Sequence, residues 1–247
     1  GLGDVYKRQV VKLLNRSAAC SMPRACSCSR WEAWRWARTP WAAAAPALDP
    51  DNVRGFWKQH ILPAAASIVK TDFNIEGYPD KRFLKIINDI VPDQVTLVPD
   101  PPEVLTSNRG WKKSDIKIDL KKIIKHIQSL GSKVVIFIDP EKEMLEYIKE
   151  MGADRVELYT GTYASEYVKN REESIRDYVK VSNYAKEIGI GVNAGHDLDL
   201  NNLKYLKESI PFIYEVSIGH ALICDALYYG LKKTITSYLN CLKWLEI

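Results

Sequence analysis

Two Gly-His pairs, Gly195-His196 in GIGVNAGHDL and Gly219-His220 in EVSIGHALI, are the residues in this chain that most directly invite chemistry. An imidazole changes charge near neutral pH and can give or take a proton. A glycine before a helix lets the backbone turn and a ligand approach, while free N–H groups and the positive dipole end favour an anion. Glu76, Thr106, Asp139, Glu157, Asn193 and Ser217 stand at or just beyond the ends of other apolar stretches. Two carboxylates held in unequal environments beside an imidazole suit a reaction that moves several protons. Each residue alone also has a plainer role. Glu76 or Glu157 could be an ion-pair partner, Asp139 a helix cap, and either histidine a hydrogen-bonded core residue. Cys26-x-Cys28 has no second Cys/His pair at zinc spacing, so no metal site is expected.

The elements that must position these residues begin near Thr71. DFNIEG reads as a strand, and Pro79 then opens a helix with Phe83, Ile86, Ile87 and Ile90 on one face. QVTLVP is the next strand, followed by a helix carrying Leu120, Ile123, Ile124, Ile127 and Leu130 and stopped by Gly131. KVVIFID leads through a cap at Asp139 and a first turn at Pro140 into a helix ending near Glu150. RVELYT, a helix from about Glu172 to Ile188, GVNAGH, a short helix with Leu200, Leu203 and Leu206, EVSIGH and one long final helix continue the alternation. Six strand–helix units of about thirty residues are the repeat of a parallel α/β sheet. Eight such units need about 250 residues, the length of a (β/α)8 TIM barrel. A doubly wound open sheet is the runner-up, but no strand is followed by a Gly-x-Gly-x-x-Gly fingerprint. In a barrel the polar strand ends converge on one mouth, and the turn after the last strands is the usual phosphate site.

The chain has 247 residues, 35 Lys/Arg and 31 Asp/Glu. Ten of those bases and four of those acids precede residue 61, leaving 25 and 27 in the remainder. The body is therefore slightly acidic and does not indicate a nucleic-acid surface. No apolar run reaches the length of a membrane span, and Val10 to Leu14 is too weak for a signal peptide, so a cytoplasmic protein is expected. Residues 1–9 contain DVYKRQ, which looks like a translated sequencing-library adapter. Five of seven Trp fall between residues 31 and 57 without a sustained period. The division expected is an anomalous segment, 1–70, reading as mis-framed or chimeric, and a barrel body, 71–247.

From about Thr71 to Leu242 the sequence resembles the pyridoxine 5′-phosphate synthase (PdxJ) family. The ordered segments FNIEGYP, QVTLVPD with LTSNRGW, GADRVELYTGTYA, GIGVNAGHDL and EVSIGHALICDALYYGL carry the resemblance. It implies a (β/α)8 barrel that condenses 3-amino-2-oxopropyl phosphate with 1-deoxy-D-xylulose 5-phosphate. It also implies no cofactor and a homo-oligomer, commonly an octamer. By the same resemblance Glu76 is the general base, Glu157 the carboxylate that stabilises charged intermediates, and His196 the proton donor. Thr106 would contact the deoxyxylulose phosphate. The backbone around Asp197 and the Gly219-His220 turn would hold the aminooxopropyl phosphate.

The family pattern also includes an Asn-rich first strand and a Val-His-x-Arg-x-Asp-x-Arg-His second strand. Here only VKLLN, Val11 to Asn15, faintly resembles the former, and the early His60 has the wrong context, so no role passes to it. Two other readings stay open: another sugar-phosphate barrel enzyme, and an inactive remnant that binds phosphates or assembles with intact subunits.

Overall fold

The computed structural model describes residues 11–14, 71–100 and 109–243. Thr106, His60, Cys20, Cys26 and Cys28 lie outside the described residues. The strands are β1 (Val11–Leu14), β2 (Asn74–Gly77), β3 (Gln94–Leu97), β4 (Lys133–Ile138), β5 (Arg155–Tyr159), β6 (Gly191–Gly195) and β7 (Glu215–Ile218). Between and after them run α1 (Lys81–Ile90), α2 (Leu120–Ser129), α3 (Lys142–Met151), α4 (Gly161–Tyr167), α5 (Arg171–Glu187), α6 (Leu203–Ser209), α7 (His220–Tyr229) and α8 (Leu231–Leu242). Strands β2 to β7 are parallel and adjacent in chain order, the product of repeated strand–helix–strand crossovers. β1 lies on the far edge and runs antiparallel to β7, with Val11 opposite Ile218 and Leu14 opposite Glu215.

Short polar residues set several helix starts. Asp80 accepts from the Phe83 amide at 2.6 Å, Asp119 from Lys122 at 3.0 Å, and Asn170 from Glu173 at 3.1 Å. Left-handed glycines follow α2 and α3 at Gly131 and Gly152. Asp139, expected to cap α3, does not; Glu141 holds the cap position without a side-chain bond, and its amide donates to the Asp139 carbonyl at 2.7 Å. The expected single final helix is two, broken at Gly230, whose φ of 80° ends α7.

Strand alternation sorts the side chains into two populations. Val95, Leu97, Val134, Ile136, Ile138, Val156, Leu158, Val192, Ala194, Val216 and Ile218 join the core with helix residues such as Ile87, Ile124, Leu145 and Leu206. Each such side chain withdrawn from water contributes about 1.5–3 kcal/mol, which holds the helices to the outer face. The alternate residues face the other way and are largely polar. Gln94 on β3 donates to Glu215 on β7 at 2.9 Å, and Arg155 on β5 reaches Gln94 at 3.3 Å and Glu215 at 2.7 Å. Four strand spacings in a flat sheet would separate β3 from β7 by roughly 19 Å. The sheet is therefore curled, with its polar face inside. The described residues form a half-barrel of six parallel strands, consistent with part of a TIM barrel, with β1 added at one edge.

Candidate active site

The interior is built in levels by the strand register. Glu76 pairs with Thr96, Thr96 with Val135, and Val135 with Arg155. Phe137, Glu157, Asn193 and Glu215 form a second series across β4 to β7, and Tyr159, Gly195 and Ser217 a third. The floor is a buried polar network. Besides the contacts above, Asn193 donates to Glu215 at 3.2 Å, while Gln94 and Thr96 donate to the Asn74 side chain at 3.1 and 3.0 Å. Glu215 is 1% exposed and its Arg155 partner 15%, so neutralisation and hydrogen bonding together satisfy a charge that could not stay buried alone.

Beside this network Glu157, 1% exposed, turns its carboxylate onto β6. A Cβ on Gly195 would lie 2.3 Å from Glu157 Oε1 and 2.8 Å from the Ser217 Cβ. The strand needs glycine here to make room for the carboxylate, since Gly195 does not have a positive φ.

The next residue, His196, carries the unusual backbone: φ is 94°, followed by 55° at Asp197. Non-glycine residues held at positive φ cost on the order of 1–3 kcal/mol and persist where surrounding bonds over-determine them. Those bonds are present. The Thr160 hydroxyl donates to the His196 carbonyl and the Thr160 amide to that of Gly195 at 2.9 Å. Asn202 Nδ2 donates to the Asp197 carbonyl at 3.1 Å. Asp197 Oδ2 lies 3.4 Å from His196 Nδ1, and the imidazole packs edge-on to Tyr159 with centroids 5.1 Å apart. Burial first, then the negative charge of Asp197 and Asp139, raises the Tyr159 phenol above its ordinary pKa.

The structure thus gathers Glu157, His196 and Asp197 at the C-terminal ends of β5 and β6. Glu76 is on the inward face of β2, beside Thr96 and at the other end of the curl. Gly219 and His220 are exposed where β7 meets α7, with Gly219 at the N-cap. At Gly219 φ is −108°, and an added Cβ would meet nothing within 4 Å. What precedes α7 is open space, not a conformational demand. Among the described residues no group of three or more His, Cys, Asp or Glu could hold a metal ion.

Comparison with known proteins is decisive at this point. Residues 53–244 match the family model described as pyridoxal phosphate biosynthesis protein PdxJ. The chain belongs to the PdxJ family. Pyridoxine 5′-phosphate synthase of Cytophaga hutchinsonii is 53% identical over 176 residues, covering 71% of this chain and 74% of that protein. The enzyme of the same name from Bacteroides thetaiotaomicron is 48% identical over 177 residues, with the same coverage of 71% and 74%. A crystal structure of a mandelate oxidase variant with 2-hydroxy-phenylacetamide superposes with a TM-score of 0.50 at 11% identity, covering 73% of this chain and 59% of that one. That likeness concerns the fold alone.

Within this PdxJ chain, Glu157 and His196 stand out as candidates by their place at strand ends, whereas the residues that hold them do not. Tyr159, Arg155, Gln94 and Glu215 were legible only through the period of two, because RVELY, QVTL and EVSI alternate polar and apolar residues. The orientation of each polar set became evident once the curl was known. No helix among the described residues is long and apolar enough to cross a membrane.

Proposed function

We propose that this PdxJ-family chain carries the pyridoxine 5′-phosphate synthase site: 3-amino-2-oxopropyl phosphate and 1-deoxy-D-xylulose 5-phosphate condense to pyridoxine 5′-phosphate, phosphate and water. The observation that carries the reading is the seating of the Glu157 carboxylate on Gly195, immediately before His196 with its constrained backbone. Ring assembly from two phosphorylated ketones needs proton removal, stabilisation of cationic imine-type intermediates and proton delivery to departing oxygen. Glu76 is the base for the first, Glu157 the counter-charge for the second, and His196 the donor for the third. Glu157 supplies its charge from a fixed, buried position, where electrostatic stabilisation is strongest. Thr106 contacts the deoxyxylulose phosphate, while the Asp197 backbone and the Gly219-His220 turn receive the aminooxopropyl phosphate. Helix α7 offers its N-terminal N–H groups to that anion. No cofactor takes part in this scheme. Substrates with this much charge fit a cytoplasmic setting, since they do not cross a bilayer unaided.

The complete catalytic body is proposed to be a (β/α)8 barrel, with residues 71–247 supplying its later units and the segment 1–70 standing in place of the first two. Homo-oligomer formation accompanies it. The apolar face of α7 and α8, with Ile223, Leu227, Tyr228, Tyr229 and Leu231 each more than half exposed, is a surface of the kind subunits bury.

A second reading is favoured by β1, which lies antiparallel against β7 where a (β/α)8 barrel has a parallel neighbour. On that reading the chain binds phosphates or joins intact subunits without turning over. Turnover separates the two. The full chain and a version with a family-type N-terminus joined at residue 53, where the match begins, are incubated with both substrates, and product and phosphate are quantified. The joined version is expected to be active and the full chain weaker. A folded, soluble joined version that yields no pyridoxine 5′-phosphate overturns the synthase reading.

A further inference from the structure

Tyr159 belongs to none of the roles assigned above, yet it touches the group on which the proposed proton transfer depends. It is the last residue of β5, two residues beyond Glu157 and on the same face. Its ring meets His196 at 5.1 Å and 68°, and Phe137 at 5.8 Å and 71°. Phe137 and His196 are themselves 6.4 Å apart, so the three rings form one cluster at the ends of β4, β5 and β6. Edge-on contacts of this kind fix relative ring orientation as well as burying area.

Both ends of Tyr159 are fixed. Its carbonyl accepts from the Tyr178 hydroxyl at 2.8 Å. Its own hydroxyl occupies a slot that exists because residue 161 is glycine: a Cβ there would fall 2.1 Å from the Tyr159 hydroxyl oxygen and 2.3 Å from Cζ. Gly161 is buried and does not have a positive φ, so space rather than backbone conformation is what it provides. The following residue, Thr160, holds the carbonyls of Gly195 and His196. One short segment, 159–161, therefore controls the main chain of His196 and one face of its imidazole together.

We propose that Tyr159, seated in the Gly161 slot, is a positioning residue that sets the plane of the His196 imidazole for proton transfer. This rests on the synthase reading for what the imidazole then does, but the positioning itself is testable without turnover. The charged groups around the pair are Asp197, 3.4 Å from Nδ1, and Asp139, whose charge is felt at the phenol. With the aromatic wall gone, the imidazole can turn toward or away from Asp197 and change its distance to the Phe137 ring.

The test uses the full chain. The His196 ring resonance is assigned by its loss in His196→Asn, and its position and through-space contacts are then compared in the unsubstituted chain, Tyr159→Leu, Tyr159→Phe and Gly161→Ala. Tyr159→Leu should move the resonance and weaken the nuclear Overhauser contact between the His196 and Phe137 rings while the circular dichroism melt persists. Tyr159→Phe, which keeps the ring, should restore both. Gly161→Ala should resemble Tyr159→Leu and add nothing in the Tyr159→Leu background, because leucine vacates the slot. In steady-state kinetics of the version joined at residue 53, Tyr159→Leu should lower kcat on the order of tenfold or more with KM little changed, since misplacing a reacting group by about an ångström costs up to about 10²-fold. An unchanged His196 resonance and an unchanged contact to the Phe137 ring in both Tyr159→Leu and Gly161→Ala overturn the proposal. A shifted resonance combined with full activity of His196→Asn upholds the positioning and overturns instead the proton-donor role.

Discussion

Replacing Gly195 by alanine tests how tightly the site is built. The new Cβ arrives 2.3 Å from Glu157 Oε1, whereas ordinary contact begins at 3.4 Å, so the carboxylate must retreat by about 1.1 Å or β6 must move. β6 cannot move freely, because it is hydrogen-bonded to β5 on one side and β7 on the other, and the Ser217 Cβ blocks it at 2.8 Å. Overpacking of this kind costs about 1–3 kcal/mol of stability. A carboxylate displaced by an ångström at the reacting centre loses up to about 10²-fold in rate, or about 2.7 kcal/mol of transition-state stabilisation. Urea denaturation of the full chain reads the first effect, and kcat/KM in the version joined at residue 53 reads the second. The control is Gly219→Ala, whose Cβ meets nothing within 4 Å and should leave the denaturation midpoint unchanged. If Gly195→Ala keeps its midpoint and its kcat/KM within about threefold of the unsubstituted enzyme, the carboxylate is not held against β6 as described.

Other substitutions probe the remaining parts of the site and its support. His196→Asn should lower kcat on the order of 10²-fold or more in the joined version with substrate KM values nearly constant, as a lost acid–base group does. Gly219→Val should leave the melt intact and raise KM for the aminooxopropyl phosphate, because a β-branched side chain would enter the open space before α7. Arg155→Met strands the Glu215 carboxylate in the floor and should destabilise the chain by about 3–5 kcal/mol in urea, whereas the joint replacement Arg155→Met with Glu215→Leu should recover part of that loss. Burial lowers the Lys207 pKa below its ordinary 10.5, so the unfolded chain binds that proton more readily than the folded one. Stability should therefore rise with pH between the lowered value and 10.5, and Lys207→Met should flatten that part of the urea-midpoint profile.

Much of the architecture was legible in the sequence because its two periods are distinct. Apolar residues at alternate positions in QVTL and EVSI and at helical spacing from Leu120 to Leu130 mark β3, β7 and α2. Helix α4 escaped notice because GTYASEY opens on glycine and lacks an apolar period. It is stabilised by distant partners instead: Tyr163 is fully buried, and its hydroxyl donates to the Asn202 carbonyl at 2.7 Å. Gly230 was a visible end signal, but the apolar run on both sides of it made one helix seem sufficient. Asp139 failed as a cap because α3 starts two residues later than a cap there would set it, leaving Glu141 at the boundary.

The two Gly-His pairs show why site chemistry is harder to read than fold. In sequence they are equivalent, a strand end followed by glycine and histidine. In three dimensions Gly195 is needed for what lies opposite it, the Glu157 carboxylate, a contact set by β5–β6 register. Gly219 has no such neighbour and no positive φ. The left-handed backbone falls instead on His196 and Asp197, which carry side chains and are held there by Thr160 and Asn202. A conformation that costs free energy and is fixed from two neighbouring loops gives the imidazole few alternatives. On the synthase reading proposed above, that restriction suits a group that must deliver its proton from one fixed place while the substrates undergo the large rearrangement.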